Sequence, residues 1–229
     1  MAPLRILICG GGCAGPALAY WLARSGHQVT VIEIFPALRA TGAQFDLRGR
    51  GNEAAKRMDL LETIRSKLVD EDGVALVDSE GNIRATVMAN KTGRGAQSLT
   101  SMFEIMRGDL VRILYNATND NVKYLFGRSV DHFEQKVTVY FSNGPSETFD
   151  LLAGADGQGS RIRKAILPPS SPDPYRRLGI HIAYWFISRI ASDNNIRRAY
   201  LSPGGRMIRR RSHSPTETQV YFYLRDDAF

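Results

Sequence analysis

Cysteine is nearly absent from this sequence of 229 residues; Cys9 and Cys13 are its two copies. Both stand in or beside one glycine-rich turn, and neither has a partner elsewhere. That excludes a disulfide framework and any zinc-binding cysteine spacing. Long apolar runs are also missing: no stretch approaches the roughly 20 residues that span a bilayer. The start of the chain has no charged segment followed by a cleavable apolar one, since Ile6 to Cys9 is too short. The expectation is a cytoplasmic protein that binds no membrane. Histidine is scarce. His27, His132, His181 and His213 show neither ligand spacing nor a catalytic-triad setting, so no metal site is expected. There is no internal repeat and no low-complexity tract.

What is present is ordinary in amount. A hydrophobic share of 43% and a charged share of 23% suit a soluble globular chain. The length suffices for one large or two small domains. The formal charge is +7. Much of it comes from arginine clusters at 176–177, 197–198, 206 and 209–211. Such a surface attracts nucleic acid only when shape supports it, and no aromatic platform or helix-turn-helix pattern accompanies it. A solvated basic face is expected, or one that meets further chain, and not a nucleic-acid site.

The most informative stretch begins at Arg5. A short apolar run, Ile6 to Cys9, leads into Gly10, Gly12 and Gly15, spaced G-x-G-x-x-G. Ala17 to Ala23 then has helical character, Gln28 to Ile32 reads as a second strand, and Glu33 ends it. This order of strand, turn, helix, strand and acid is what dinucleotide binding needs. Gly10 permits the tight turn, Gly12 lets a pyrophosphate approach the backbone, and Gly15 lets the helix pack on the sheet. The helix start favours phosphate through its free N–H groups and dipole. Glu33 lies eighteen positions past Gly15, near the spacing for an acid that holds a ribose. Pro16 suits the first helical turn and Gly26 the helix end. Cys13, at the helix start, reads as a small turn-filling residue and not as a redox thiol.

Further along, the pattern predicts a loop from Pro36 and a helix over Asn52 to Leu68 with Asn52 as its cap. A hairpin is expected over Val74 to Met88, and a polar loop over Asn90 to Ser101. Met102 to Met106 reads as a strand, and a helix follows with Asp109 near its start. Val122 to Phe126 is a strand, followed by a second hairpin turning at Asn143-Gly144. Leu151 to Ala155 is an apolar strand ending on Asp156-Gly157. Ser160 then caps a short helix that Pro168 and Pro169 stop. Four prolines between Pro168 and Pro174 mark a domain crossing. Three strands are expected beyond it: Gly179 to Ile187, Arg197 to Leu201 and Val220 to Leu224.

Three separated segments together resemble the group A FAD-dependent monooxygenases, the family of salicylate hydroxylase, para-hydroxybenzoate hydroxylase and the tetracycline-degrading enzymes. They are the glycine turn with Glu33, the run Met106-Arg107-Gly108-Asp109-Leu110, and Gly154-Ala155-Asp156-Gly157 through Arg163. The stretch Thr41 to Asp46 and the hairpin at 74–84 are most similar to the tetracycline-type branch. The resemblance implies an α/β fold: a Rossmann-like FAD-binding domain with inserted β-hairpins (residues 1–75 and 101–170) and a partial, mostly antiparallel substrate-domain sheet (76–100 and 171–229). It implies that Gly10, Gly12 and Gly15 hold the FAD pyrophosphate and Glu33 the adenosine ribose. Arg107 would contact the flavin side, Asp156 with Gly157 would help hold FAD and serve NAD(P)H, and Asp46 would lie near the cofactor. No catalytic residue is identified. The implied reaction is NAD(P)H- and oxygen-dependent hydroxylation of an aromatic or polyketide-like small molecule.

The sequence departs from that pattern in three places. A later Gly-Asp motif expected in the family is absent before the end at Phe229. Ile34 stands where many members carry an arginine, and Met102 replaces an expected polar residue. Two expectations follow. The chain is either part of such a monooxygenase or a short descendant that has lost redox turnover and serves as an isomerase, a cyclase or an FAD-binding scaffold. An exposed partial sheet would also favour self-association. A plain NAD(P)-binding oxidoreductase fits less well, because Arg107 and Asp156-Gly157 have no place in it.

Overall fold

The computed structural model describes residues 2–90, 103–134 and 137–226. Its elements in chain order are β1 (Arg5–Cys9), α1 (Ala14–Arg24), β2 (Gln28–Glu33), β3 (Gln44–Asp46), α2 (Arg50–Arg57), α3 (Leu61–Arg65), β4 (Gly73–Val77), β5 (Ile83–Met88) and β6 (Glu104–Met106). They continue with α4 (Arg107–Asn116), β7 (Lys123–Phe126), β8 (Val130–Phe133), β9 (Thr138–Phe141), β10 (Glu147–Thr148), β11 (Leu151–Gly154) and α5 (Arg161–Ile166). The last four are β12 (Ile180–Ser188), β13 (Ile196–Ser202), β14 (Arg206–Ser212) and β15 (Glu217–Arg225). Two compact units emerge. One comprises Met1–Gly42, Glu53–Ser66 and Met106–Pro172, and the other Ala43–Asn52, Lys67–Ile105 and Asp173–Phe229. The expected boundaries at 75 and 101 differ from these, because β4 hydrogen-bonds to β5 and β13 and β3 pairs with β6.

The first unit is built on a four-stranded parallel sheet ordered β11-β1-β2-β7. Side chains alternate across a strand, and β1 shows the consequence. Ile6 and Ile8 pack with Ala19 of α1, Val29, Val31 and Val122. Leu7 and Cys9 turn to the other face, into a cluster with Val130, Val139, Phe141, Phe149 and Ile162. A helix therefore covers one face, while the antiparallel sheet β10-β9-β8 and α5 cover the other. At the far end of α1, Gly26 (φ +84°) donates to Ala23 O and His27 to Leu22 O. This paired arrangement satisfies the last carbonyls and stops the helix.

The second unit holds a six-stranded sheet ordered β12-β15-β14-β13-β4-β5, antiparallel except for β13 with β4. The hairpin β4–β5 forms as expected, with Asp78 Oδ1 accepting the Asn82 N–H at 2.8 Å across its turn. β14 is an element that the sequence pattern did not suggest. Its composition, Arg-Met-Ile-Arg-Arg-Arg-Ser, reads as a charged surface, yet it pairs along its length with β13 and β15.

Two further expectations are corrected. The single helix over 52–68 is two helices, broken where Asp59 takes a positive φ of 59°. Asn52 is inside α2 and does not cap it. The polar loop expected over Asn90 to Ser101 lies, after Asn90, outside the described residues.

Candidate functional site

The glycine turn joins β1 to α1 in the first unit. Gly10 has φ +115°, and a Cβ there would stand 2.4 Å from the Ala155 carbonyl oxygen, so only glycine fits. A Cβ on Gly15 would stand 1.9 Å from Gly10 O. These two glycines let α1 begin directly on the end of the strand. No side chain caps the start of α1, and its first turn carries no acid. A helix start without a protein acceptor, facing a side-chain-free backbone, suits an anion.

Arg107 closes over this turn. Its Nη1 donates to Thr41 O at 2.7 Å and to Arg39 O at 3.3 Å. Its Nη2 lies 3.2 Å from where a Gly12 Cβ would be. The guanidinium is thus aimed by two carbonyls, and it has no carboxylate partner among the described residues. The backbone that aims it is tight: a Cβ on Gly108 would meet Ala40 O at 2.2 Å. Positive charge is therefore presented beside Gly12, whose lack of a side chain is what lets the guanidinium come this close.

Glu33 ends β2 as expected, and its carboxylate is half-buried beside the turn. Oε2 accepts the Gly11 N–H at 2.8 Å and Oε1 the Phe35 N–H at 3.1 Å. A carboxylate accepts about four hydrogen bonds. Two positions thus remain for hydroxyl donors such as those of a ribose. The donor set of the turn, Arg107 and Glu33 fits a nucleotide diphosphate.

Asp156 is held by partners of its own segment. Its Oδ1 accepts the Ser160 hydroxyl at 2.5 Å and its Oδ2 the Arg161 N–H at 2.7 Å, so it anchors the start of α5. Ser160 caps that helix, accepting the Arg163 N–H at 2.9 Å. Gly157 is exposed with open space where a side chain would stand. Asp46 belongs to the second unit, on β3, and forms an ion pair with Arg48. The structure therefore gathers Gly10, Gly12, Gly15, Glu33 and Arg107 in one place and gives Asp46 and Asp156 local partners.

Both cysteine thiol pKa values are raised by their surroundings. Burial, helped by the Asp156 charge, pushes the Cys9 thiol up to about 12. Burial also raises the Cys13 thiol, against the opposing pull of Arg107. Cys13 is thus a packing residue of the turn.

In the second unit, the arginine clusters are only partly a solvated face. Arg197 and Arg211 are buried. Arg197 Nη2 meets Glu71 Oε1 at 2.6 Å, and Arg211 bridges Glu104 Oε1 and Glu71 Oε2, each at 2.6 Å. Arg209 stands over Tyr221, 4.4 Å from the ring centroid. Sequence reading missed this network. The alternation of Arg209 and Arg211 after the Gly204-Gly205 turn was the signal for a strand with two arginines on one face.

The chain matches the family described as FAD binding domain over residues 4–228. The FAD-dependent monooxygenase asL4 of Sarocladium schorii is 42% identical over 228 residues, covering 96% of this chain and 53% of that protein. The flavin-dependent monooxygenase eupH of a Phoma species is 39% identical over 234 aligned positions, with coverages of 98% and 54%. Among solved structures, the tetracycline destructase Tet(51) superposes with a TM-score of 0.83 at 29% identity, over 100% of this chain and 58% of that one. The chain spans about half the length of the curated relatives it matches.

Proposed function

This chain belongs to the FAD-binding-domain family of flavin-dependent monooxygenases, and from that membership we propose that it is the cofactor-holding and substrate-sheet part of an enzyme that hydroxylates an aromatic or polyketide-like small molecule with NAD(P)H and O2. The observation that carries the proposal is the uncapped start of α1 facing the Arg107 guanidinium, with Glu33 beside it. FAD, when bound, supplies the redox chemistry, and the protein supplies binding, orientation and electrostatics.

The roles of the residues follow from their geometry. Gly12 leaves the backbone open to the diphosphate, and Arg107 neutralises its charge from the opposite side. Glu33 holds the ribose hydroxyls through its two unused acceptor positions. Asp156 acts through α5, whose start it fixes, and so serves the site by positioning. In the second unit the network of Glu71, Glu104, Arg197 and Arg211 holds β13 and β14 rigid, so that Tyr221 and Arg209 keep a fixed place on the sheet. That sheet is the substrate-facing surface in this reading. The same reading includes a second copy of the chain. Among the described residues β12 is an edge strand of nine residues, eight of them exposed, and such an edge invites pairing.

The test is the visible spectrum of the purified chain, before and after addition of FAD and desalting. Retained flavin bands are expected. Gly12→Val should abolish them while leaving the far-UV circular dichroism unchanged. A folded wild-type chain that never retains flavin, or a Gly12→Val chain that retains it fully, overturns the reading.

A further inference from the structure

Three arginines share one face of the second unit's sheet. Residues two apart on a strand point the same way. Arg209 and Arg211 are two apart on β14, and Arg197 stands two before Ala199, the residue opposite Arg209. Two buried carboxylates meet them. Glu71 pairs with both Arg197 and Arg211, and Glu104 pairs with Arg211. Three positive charges against two negative leave one over. Arg209 is the member of the three with no carboxylate partner among the described residues.

The surroundings of Arg209 make that surplus charge costly. It is half-buried, and its Nε, shielded from solvent, has no hydrogen-bond partner among the described residues. Burial lowers its pKa, and the charges of Arg197 and Arg211 push the same way. A shielded charge without a counter-ion is unfavourable until an anion reaches it. The guanidinium is meanwhile held in place by rings. It lies 4.4 Å from the centroid of Tyr221 and 5.3 Å from that of Tyr223. These contacts fix its plane but bring no full negative charge. Tyr184 extends the aromatic surface: it stands opposite Tyr221 on β12, is exposed, and stacks on that ring at 5.7 Å.

A guanidinium that lacks an anion, set among aromatic rings, fits a flat ring carrying an ionised oxygen. We propose that Arg209 selects substrates of that class, aromatic carboxylates or phenolates, with Tyr184 and Tyr223 against the ring. The proposal rests on the monooxygenase reading above and adds the charge that the substrate carries.

Equilibrium dialysis of the full chain at neutral pH, with FAD present, tests it. The probes are naphthoate, picrate and the neutral naphthamide. The wild type should bind at least one of the two anions about tenfold more tightly than the amide, the gap between a charged and a neutral hydrogen bond. Preference for naphthoate alone identifies a carboxylate site, and preference for picrate alone a phenolate site. Arg209→Gln should erase the preference, and Arg209→Lys should keep part of it. Arg209→Met keeps an apolar stem against Tyr221 and should likewise bind all three probes alike. If the wild type binds neither anion better than the amide, or if Arg209→Gln and Arg209→Met keep the full preference, the assignment is wrong and the cofactor reading stands. A wild type that retains flavin and binds none of the probes overturns it in the same way. A folded wild type that retains no flavin overturns the cofactor reading and this inference together.

Discussion

Glu104 is a residue with a large expected effect on stability. It is buried, and its two oxygens accept both terminal nitrogens of the buried Arg211 at 2.6 and 2.7 Å. Neutralising Glu104 leaves Glu71 as the one carboxylate shared by the buried Arg197 and Arg211, so the cost is expected below the roughly 3–5 kcal/mol of a fully stranded buried charge. Glu104→Gln should lower the unfolding free energy by about 1–3 kcal/mol, measured by denaturant titration at neutral pH. The pH dependence follows from the same contact. Burial by itself raises the Glu104 pKa, but the hydrogen bond and charge of Arg211, with Arg197, outweigh it, and the pKa is lowered. A carboxylate depressed in the folded state contributes stability that is fully present above its unfolded pKa, about 4.3. That stability is lost as the pH falls through the folded value. Denaturant titrations from pH 7 downward should show the wild type losing stability below about pH 4.3, and Glu104→Gln losing less over that range. Equal slopes for the two proteins would remove Glu104 as the source.

At the scale of the element, α5 shows how a short helix of six residues is held. A helix this short does not persist by propensity. Ser160 caps it through the Arg163 N–H, and Asp156 accepts both the Ser160 hydroxyl and the Arg161 N–H. Ile162 then buries its side chain in the core beside Leu7 and Cys9. Ser160→Ala removes the cap and one support of Asp156, and should cost about 1 kcal/mol. The check is thermal or chemical denaturation of the folded variant, with flavin retention measured beside it. A loss of flavin without a loss of stability would move Asp156 from a positioning role to a direct contact. β12 is the opposite kind of element. It is long and almost fully exposed, it carries no Lys, Arg, Asp or Glu, and β15 occupies one of its edges. Its exposed face includes Trp185 stacked on Phe222 at 5.1 Å.

For the whole molecule, an open apolar edge strand predicts association. Sedimentation velocity over a hundredfold concentration range should show the apparent mass rising with concentration. Ala183→Lys, at the middle of the β12 edge region, should shift the distribution toward monomer, because charge on an edge strand blocks pairing. A wild-type mass independent of concentration would refute self-association through this sheet. Among the described residues no helix is long and apolar enough to cross a membrane, and no group of acidic, histidine and cysteine side chains is placed to hold a metal.

Much of the cofactor unit could be read directly from residue order. Glycines at 10, 12 and 15, the flanking strand and helix, and Glu33 are local features. Their spacing specifies a tight turn between strand and helix, and the structure builds that turn. The apolar strands β1, β2 and β11 and the Ser160 cap were legible for the same reason: each depends on neighbours a few positions away. Arg107 was visible through a resemblance, but its aim at Gly12 depends on carbonyls 66 and 68 residues earlier. The helix break at Asp59 escaped the pattern because its apolar spacing runs on across the interruption. The misreading of the arginines is the clearest limit. Arg197 and Arg211 have the composition of a solvated face, and their burial is possible only because Glu71 and Glu104, more than a hundred residues earlier in the chain, arrive to neutralise them. Chain order therefore determined the local geometry of the glycine turn and of the acid that ends β2. Tertiary structure decided which charges are free to meet a ligand and which are consumed in holding the sheet, because the energy of a charge depends on what folding brings within about 4 Å of it.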